Sequence, residues 1–436
     1  METELARIAY TARTQPKTRF TSLVHLINVE NLAKCHKELS RKKAPGLDGV
    51  TKDQYGENLE ANLEQLVEKM KKQAYKPQPV RRTYIAKPGT NKMRPLGIPA
   101  YEDKLAQLAI SKILNSIYEE DFLDCSFGYR PQRGMHDALK VLNRILETKE
   151  INCVVDVDIK GFFDHVSHEW LKEFLKQRIA DPNLFRLIVR FLKAGVMEEG
   201  KLLATHEGTP QGGVISPILA NIYLHYVVDL WFEKVVRKKC AGNAYMVRYA
   251  DDMVFCFQHE EEAREFYQYM IDRLKRFNLE VSEEKTKIIP FGKKAMENKQ
   301  ASTFDFLGMT HYCGRSKTGK FRVKRKTSRK KYKASILKCK EWIRKHRNMP
   351  MKDLWKAISI KLNGYYRNYG ITDNGDSISK FLYEAKEMLF KWLNRRSQRK
   401  SFTKEKFQLF LDKNPLPQPK IYVNIFSLSK GAAYCK

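Results

Sequence analysis

Two adjacent acids, Asp251 and Asp252, interrupt the segment MVRYADDMVFCF (246–257), whose other residues mostly favour β-strands. Neighbouring carboxylates repel each other, and a buried charge is costly unless a positive group compensates it. A third acid, Asp158, ends a predicted strand in VVDVDIKGFFD (154–164). Carboxylate oxygens suit Mg²⁺, and two such ions can stabilise the attacking and leaving oxygens of a phosphoryl transfer. We therefore predict that neighbouring strands bring the three acids together as a divalent-metal site.

The competing interpretation of Asp251 and Asp252 is an ordinary polar turn, because aspartate is common in turns. An isolated pair would favour that interpretation, but further acids accompany it here. Asp156 has the same strand parity as Asp158, whereas Asp164 follows the strand and is expected to cap the next helix. Other catalytic sites are not indicated, because the ten histidines show no paired ligand spacing and the P-loop pattern is missing.

The charge of the chain indicates a polyanionic partner. Its 436 residues contain 81 Lys and Arg against 50 Asp and Glu, a formal net charge of +31, with 11% aromatic residues. Cations that neutralise phosphates and rings that stack on bases are typical of nucleic-acid-binding proteins. A basic surface for solubility or for an anionic membrane is the alternative. Eight single cysteines without a CxxC pair indicate a reducing compartment, and the lack of an apolar leader predicts a soluble intracellular protein.

Two regions of different character follow one another along the chain. Up to about residue 313, predicted helices and strands are mixed, and helical periodicity over 23–73 is interrupted by the loop KKAPGLDGV (42–50). Residues 315–347 then contain sixteen Lys or Arg and one acid, Glu341, which predicts a basic helical region. The predicted strands are a basic hairpin (80–88 and 93–99), one strand within 151–164, a pair flanking 200–206, the hairpin around 251 and a pair within 302–312. The predicted helices are 101–124, 136–149, 167–179, 183–194, one from about 216, 260–277, 328–346, 351–369 and 377–396.

Aromatic residues are interleaved with the cations of the basic region. Phe321, Tyr332 and Trp342 lie among its lysines and arginines, and LNGYYRNYG (362–370) adds three tyrosines. A charge run alone usually means a solvated face, but density and aromatics together favour contact with a duplex or a structured RNA. The residues predicted to contact nucleic acid are Lys324, Arg325, Lys326, Arg329, Lys330, Lys331, Tyr365 and Arg367.

Five ordered motifs resemble those of bacterial group II intron-encoded reverse transcriptases. They are SFGYRPQRG (126–134), VVDVDIKGFFD (154–164), TPQGGVISPILANIYL (209–224), YADD (249–252) and FLGMTHY (306–312), and RPLGIP (94–99) matches the family's fingers. The resemblance implies an α+β fold of the right-hand polymerase type, with fingers, palm and thumb. It further implies a ferredoxin-like antiparallel palm sheet and a basic helical thumb. The implied domains are an N-terminal extension (1–70), fingers and palm (71–313) and the thumb or maturase domain (314–436).

The resemblance also implies roles for individual residues. Asp158, Asp251 and Asp252 would be catalytic and would bind two Mg²⁺ ions, for which Mn²⁺ could substitute, with the carbonyl of Ile159 as a further ligand. Phe163 would form the gate against a 2′-hydroxyl and the neighbouring Phe162 would belong to the core, although strand parity alone does not distinguish the two. The remaining nucleotide contacts would be Gln211, Arg81 and Lys87, with Arg82 and Arg94 as alternatives for the triphosphate.

The implied function is RNA-directed DNA synthesis together with binding of intron RNA for splicing and mobility. The expected partners are an RNA template, a DNA or RNA primer, the RNA/DNA hybrid and deoxynucleoside triphosphates, with no membrane. We expect a bacterial cytoplasmic location on the nucleoid or a ribonucleoprotein. Without the cysteine pairs of an HNH nuclease, the chain is expected to be a short form lacking that domain. A domesticated enzyme of repair or phage defence and a maturase acting mainly as a splicing cofactor remain alternatives.

Overall fold

A computed structural model describes residues 2–86, 93–198, 201–203, 207–208, 212–396, 402–427 and 431–435. Two residues predicted to contact the nucleotide, Lys87 and Gln211, lie outside these ranges. Among the described residues, no helix combines the length and the apolar composition that crossing a membrane requires.

Helices make up most of the fold. The predicted helices are present within a few residues of their expected ends, except that the helix from Tyr101 stops at Tyr118. The helices are α1 (Glu2–Thr14), α2 (Val29–Glu38), α3 (Lys52–Gly56), α4 (Leu59–Lys71), α5 (Tyr101–Tyr118), α6 (Met135–Thr148), α7 (His168–Lys176), α8 (Pro182–Leu192), α9 (Ser216–Leu224), α10 (Arg237–Lys239), α11 (Glu260–Arg276), α12 (Lys293–Glu297), α13 (Arg329–His346), α14 (Met351–Tyr369), α15 (Gly375–Leu393) and α16 (Lys404–Lys413).

The strands form three sheets. The strands are β1 (Val80–Ala86), β2 (Met93–Ile98), β3 (Cys153–Asp158), β4 (Val196–Glu198), β5 (Lys201–Leu203), β6 (Ala244–Tyr249), β7 (Asp252–Phe257), β8 (Lys287–Pro290), β9 (Phe304–Phe306), β10 (Met309–Arg315) and β11 (Phe321–Thr327). The sheet orders are β2-β1-β4-β5, β6-β7-β3-β8 and β11-β10-β9.

The sheet β6-β7-β3-β8, called here the central sheet, is antiparallel throughout. Helices lie between β3 and β6 along the chain, and α11 lies between β7 and β8, which is the β-α-β-β-α-β order of a ferredoxin-like sheet. Both faces are covered. Val155 and Phe255 belong to one buried cluster, whereas Val154 and Val254 belong to a second cluster that extends into the C-terminal helices. This burial explains why the strands read as continuous apolar runs rather than as alternating ones.

Two details differ from the sequence-based expectations. The last strand pair is a three-stranded sheet, because β11 pairs with β10 along its whole length in a stretch predicted to be helical. Every second residue of β11 from Val323 onward is buried, namely Val323, Arg325 and Thr327. Because one of these buried positions is an arginine, the sequence does not show the alternation of apolar and polar residues that indicates a strand. The second difference is at α7, which is capped by the Ser167 side chain accepting a hydrogen bond from the Trp170 amide, and not by Asp164.

Candidate active site

The register of the central sheet brings the predicted acids together. In the antiparallel pair β3–β7, Asp158 lies directly opposite Asp252. Asp251 precedes Asp252 in the turn that joins β6 to β7, where Ala250 has a φ of +57°. Two-residue hairpin turns favour positive φ because it matches the twist of the flanking strands. Two acids 94 positions apart in the chain thus become cross-strand neighbours, as the sequence predicted.

The electrostatics of this cluster disfavour three free anions. Surrounding protein, together with the charges of Asp251 and Asp158, raises the pKa of Asp252 to about 6. Burial also raises the pKa of Asp251, where the charge of Asp158 adds to the effect and Arg94 opposes it. Burial and the charges of Asp252 and Asp158 raise the pKa of Asp156 to about 7. A divalent cation would relieve this repulsion, so the donor set fits a hard metal ion chemically.

A lysine engages the cluster from the neighbouring segment. Lys285 Nζ lies 2.9 Å from Asp158 Oδ1, and both side chains are accessible to water. Within the described residues, no three His, Cys, Asp or Glu side chains stand together in a metal-ligand arrangement. We infer that Lys285 would have to leave Asp158 before this carboxylate could bind a metal together with Asp252. Sequence reasoning missed Lys285, because the lysine is one of many in the chain and only its tertiary position sets it apart.

The chain after Asp158 turns sharply through the predicted gate. Ile159 is buried and forms an isolated bridge with Val281, and Gly161 follows with a φ of +55°. Phe162 and Phe163 then lie in a short 3-10 turn with their rings 5.3 Å apart, and both rings are largely buried. Because both rings are packed in the same way, the structure does not tell which phenylalanine is the gate, and the assignment of Phe163 remains a prediction. The role of the Ile159 carbonyl as a metal ligand also remains a prediction.

Cations of the β1–β2 hairpin point in different directions. Arg81 Nη2 donates a 2.8 Å hydrogen bond to the Pro45 carbonyl, so its guanidinium is directed toward the N-terminal loop. Arg82 faces Glu198 at 3.7 Å. Arg94 instead lies close enough to Asp251 for its charge to oppose the rise in the pKa of that carboxyl. The placement therefore favours the alternative Arg94 over Arg81 as the hairpin cation that faces the acids.

The motif SFGYRPQRG (126–134) packs against the turn that carries the acids and is hydrogen-bonded to the strand before it. The Phe127 amide donates to the Arg248 carbonyl at 2.9 Å, and a Cβ built on Gly128 would lie only 2.3 Å from the Ala250 nitrogen. Tyr129 follows with a φ of +59° and remains 51% exposed. The charge of Asp251 adds to partial burial in raising the pKa of the Tyr129 hydroxyl. Tyr129 thus lies beside the acids, a placement that sequence reasoning did not single out.

The predicted nucleic-acid contacts divide into surface and interior residues. Exposed positions are Lys326, Arg329, Lys330, Lys331 and Arg367, and Lys324 is partly exposed. Two predictions need correction. Arg325 is fully buried and paired with Asp373 at 3.4 Å, with a further hydrogen bond to Asn143. Tyr365 is buried and its ring is stacked on Phe381 with centroids 3.7 Å apart, so both side chains serve the interior.

Comparison with known proteins gives four similarities. Residues 85–311 match the family described as "Reverse transcriptase (RNA-dependent DNA polymerase)". The Group II intron-encoded protein LtrA of Lactococcus lactis subsp. cremoris is 41% identical over 51% of this chain and 37% of its own length. Protein YkfC of Escherichia coli (strain K12) is 36% identical over 55% of this chain and 64% of its own length. A telomerase structure from Candida albicans, in complex with a fragment of telomeric RNA, gives a TM-score of 0.45 at 12% identity, covering 84% of this chain and 67% of that chain. The chain thus spans less than two thirds of the length of either curated relative.

Proposed function

Because the chain belongs to the reverse transcriptase family, we propose that it is an RNA-directed DNA polymerase encoded by a bacterial group II intron. Its reaction would be template-dependent addition of deoxynucleotides to a primer 3′ end by two-metal nucleotidyl transfer. The observation that carries this proposal is the cross-strand pair of Asp158 and Asp252, with Asp251 in the adjoining turn. The match to an intron-encoded relative supports the intron origin.

Asp158, Asp251 and Asp252 would hold the metal ions, with the Ile159 carbonyl as a further oxygen ligand. The ions would be two Mg²⁺, replaceable by Mn²⁺, and when bound they would supply positive charge at the attacking and leaving oxygens. Lys285 would release Asp158 and remain beside the acids as a cation. The raised pKa of Asp252 supports this assignment, since it indicates that the cluster still has too little positive charge around it.

The substrates follow from the groups around the acids. Arg94, with Arg81 and Lys87 as the other candidates, would bind the triphosphate of the incoming deoxynucleotide, because guanidinium and ammonium groups bind phosphate oxygens well. Gln211 would contact the same nucleotide, and Phe163 would exclude a 2′-hydroxyl. The exposed cations of β11, α13 and α14 would bind the backbone of the RNA/DNA hybrid formed by the template and its DNA or RNA primer.

The proposed architecture is a right hand. Residues 1–70 would form an N-terminal extension, 71–313 the fingers and palm, and 314–436 the thumb. In this assignment the β1–β2 hairpin belongs to the fingers, the central sheet is the palm and α13–α15 form the thumb. We place the protein in the bacterial cytoplasm, on the nucleoid or in a ribonucleoprotein, since its +31 net charge favours polyanionic partners.

Primer extension on an RNA template tests the polymerase. We expect Asp251→Asn and Asp158→Asn to reduce deoxynucleotide incorporation at least about 100-fold, a loss typical of removing one electrostatic group from a catalytic site. Asp272→Asn is the matched control, because this acid lies exposed on α11. Circular dichroism would establish that each variant is folded. A folded Asp251→Asn variant with wild-type synthesis would refute the assignment.

A second activity, assistance of intron splicing, is favoured by the surface of α13. This helix carries eight Lys or Arg in 18 residues and buries only Cys339 and Ile343. Such a surface suits the backbone of a folded RNA. In a filter-binding assay we expect the protein to bind the cognate intron RNA with high affinity, and we expect this RNA to splice faster when the protein is present. Equal affinity for an unrelated RNA of the same length would end the maturase proposal, and an absence of intron RNA domains around the gene would favour the domesticated enzyme.

A further inference from the structure

A fully buried arginine lies directly behind the turn that carries the catalytic acids. Arg248, near the end of β6, is 0% exposed, and so is its partner Asp229. The pair is bidentate, with Arg248 Nε donating to Asp229 Oδ1 at 2.7 Å and Nη2 donating to Oδ2 at 2.5 Å. Removing two charges from water is expensive, and apolar side chains of similar volume are often as stable in such a place. The pair therefore calls for an explanation beyond stability.

The remaining guanidinium nitrogen links the pair to the turn. Arg248 Nη1 donates to the Ala250 carbonyl at 3.1 Å and to Asn221 Oδ1 at 3.0 Å. Ala250 is the residue with positive φ that directly precedes Asp251. An L-residue other than glycine adopts this conformation at a cost, so surrounding contacts must hold it. The guanidinium contact to its carbonyl is one of those contacts.

A helix with an irregular turn supplies both side-chain acceptors of the Arg248 guanidinium. Asn221 lies on α9, and Asp229 ends a π-helical turn, His225–Asp229, that continues this helix. A π turn changes the angular register of the following residues, and such turns are frequent at functional sites. Here both acceptors reach one guanidinium from the same helical segment.

The network also extends to the loop on the other side of the turn. Asn221 Nδ2 donates to the Gly128 carbonyl at 2.7 Å, and the Arg248 amide donates to the Cys125 carbonyl at 2.8 Å. Gly128 is the residue whose backbone lies against Ala250. Helix, loop and turn are thus joined through one buried set of polar groups.

We propose that the buried network of Arg248, Asp229 and Asn221 positions Asp251 and Asp252 for metal binding. These three are positioning residues, because they touch neither substrate nor metal and act through the backbone of Ala250. The inference rests on the proposed polymerase function. The network fixes the direction of the Asp251 and Asp252 carboxylates, whereas an ion pair that only stabilised the fold would not.

The test compares Asp229→Asn with Arg178→Lys in the full chain. Asp229→Asn keeps the shape of the side chain and removes its charge. Arg178→Lys disturbs another buried pair, Arg178 Nε to Asp121 Oδ2 at 3.0 Å, whose arginine also donates to the carbonyls of Ala12 and Pro16 in the N-terminal segment. Mn²⁺ binding would be measured by calorimetry without nucleic acid or nucleotide, together with kcat for primer extension, the Kd of the hybrid and the Tm. Asn221→Ser serves as the milder second variant in case Asp229→Asn does not fold.

We expect Asp229→Asn, or Asn221→Ser in its place, to weaken Mn²⁺ binding about tenfold and to lower kcat with an unchanged hybrid Kd, as removal of groups that orient metal ligands does elsewhere. Arg178→Lys should lower Tm while Mn²⁺ binding stays at the wild-type level. Equal Mn²⁺ affinity in the network variants and the wild type would overturn the proposal. Asp251→Asn separates failure of the positioning proposal from failure of the polymerase proposal. If Mn²⁺ binding and DNA synthesis both survive this substitution, the polymerase assignment itself is refuted.

Discussion

Substituting Gly128 by alanine should move the turn that carries Asp251 and Asp252 without removing any functional group. A Cβ at this position would lie 2.3 Å from the Ala250 nitrogen and 2.9 Å from the Tyr249 carbonyl carbon. These are backbone atoms, so no side-chain rotation can make room. An ordinary contact needs at least about 3.4 Å, so the loop and the turn must separate by roughly 1 Å. A displacement of about 1 Å in a catalytic constellation can reduce the rate about 100-fold.

The assay is single-turnover primer extension at saturating hybrid and deoxynucleotide, which reports the rate of the chemical step. Gly364→Ala on α14 is the matched control, because a Cβ built there meets nothing within 4 Å. Replacing a helical glycine by alanine should also stabilise the control by about 0.5–1 kcal/mol. A Gly128→Ala variant that extends the primer at the wild-type rate would refute the claim that this contact sets the position of the acids.

Three further predictions concern charges. Lys285→Met should tighten Mn²⁺ binding in calorimetry, because the ammonium no longer competes for Asp158; unchanged or weaker binding would contradict this competition. Arg325→Ala should lower the free energy of unfolding in urea by about 3–5 kcal/mol, whereas Lys326→Ala, at an exposed position, should change it by less than about 0.5 kcal/mol and weaken hybrid binding instead. Burial raises the pKa of Asp103 to about 7. Protonated Asp103 therefore contributes its full stabilisation below the unfolded-state pKa of about 4, and this stabilisation is lost as the pH rises from about 4 through about 7. Asp103→Asn should remove this part of the pH dependence of Tm, and an unchanged pH profile would show that the shift is absent.

Local patterns in the sequence were sufficient for most of the elements and for the acids, although not for β11. The strand around Asp158 and the hairpin around Asp251 and Asp252 could be predicted because their apolar runs are bounded by polar turns. Their meeting could also be predicted, because adjacent carboxylates repel each other and a shared divalent cation would compensate them. The identity of the hairpin cation was not accessible, because Arg81 and Arg94 lie in equally basic surroundings and differ only in tertiary direction.

Buried charges were the main failure of sequence reasoning, for a physical reason. Arg325 lies in a run of cations that predicts a solvated face, but its carboxylate partner Asp373 and its amide partner Asn143 are 48 and 182 positions away. Arg248 likewise depends on Asp229, which reaches it through the π-helical turn His225–Asp229. A buried ion pair is specified by two distant positions jointly, and neither position carries a local pattern that announces the other.

The anionic cluster is the exception in a strongly cationic molecule, and its surroundings explain how it persists. Cations from three separate segments act on it: Arg94 on Asp251, Lys285 on Asp158, and Lys331 on Asp252. None of the three is enough to keep Asp252 at its ordinary pKa, which is still raised to about 6. Partial compensation of this kind has a functional consequence. It leaves the acids with a deficit of positive charge, which a divalent ion could supply. An additional arginine beside Asp252 would remove this deficit and should weaken the binding of a divalent ion, so incomplete neutralisation is what the proposed chemistry requires.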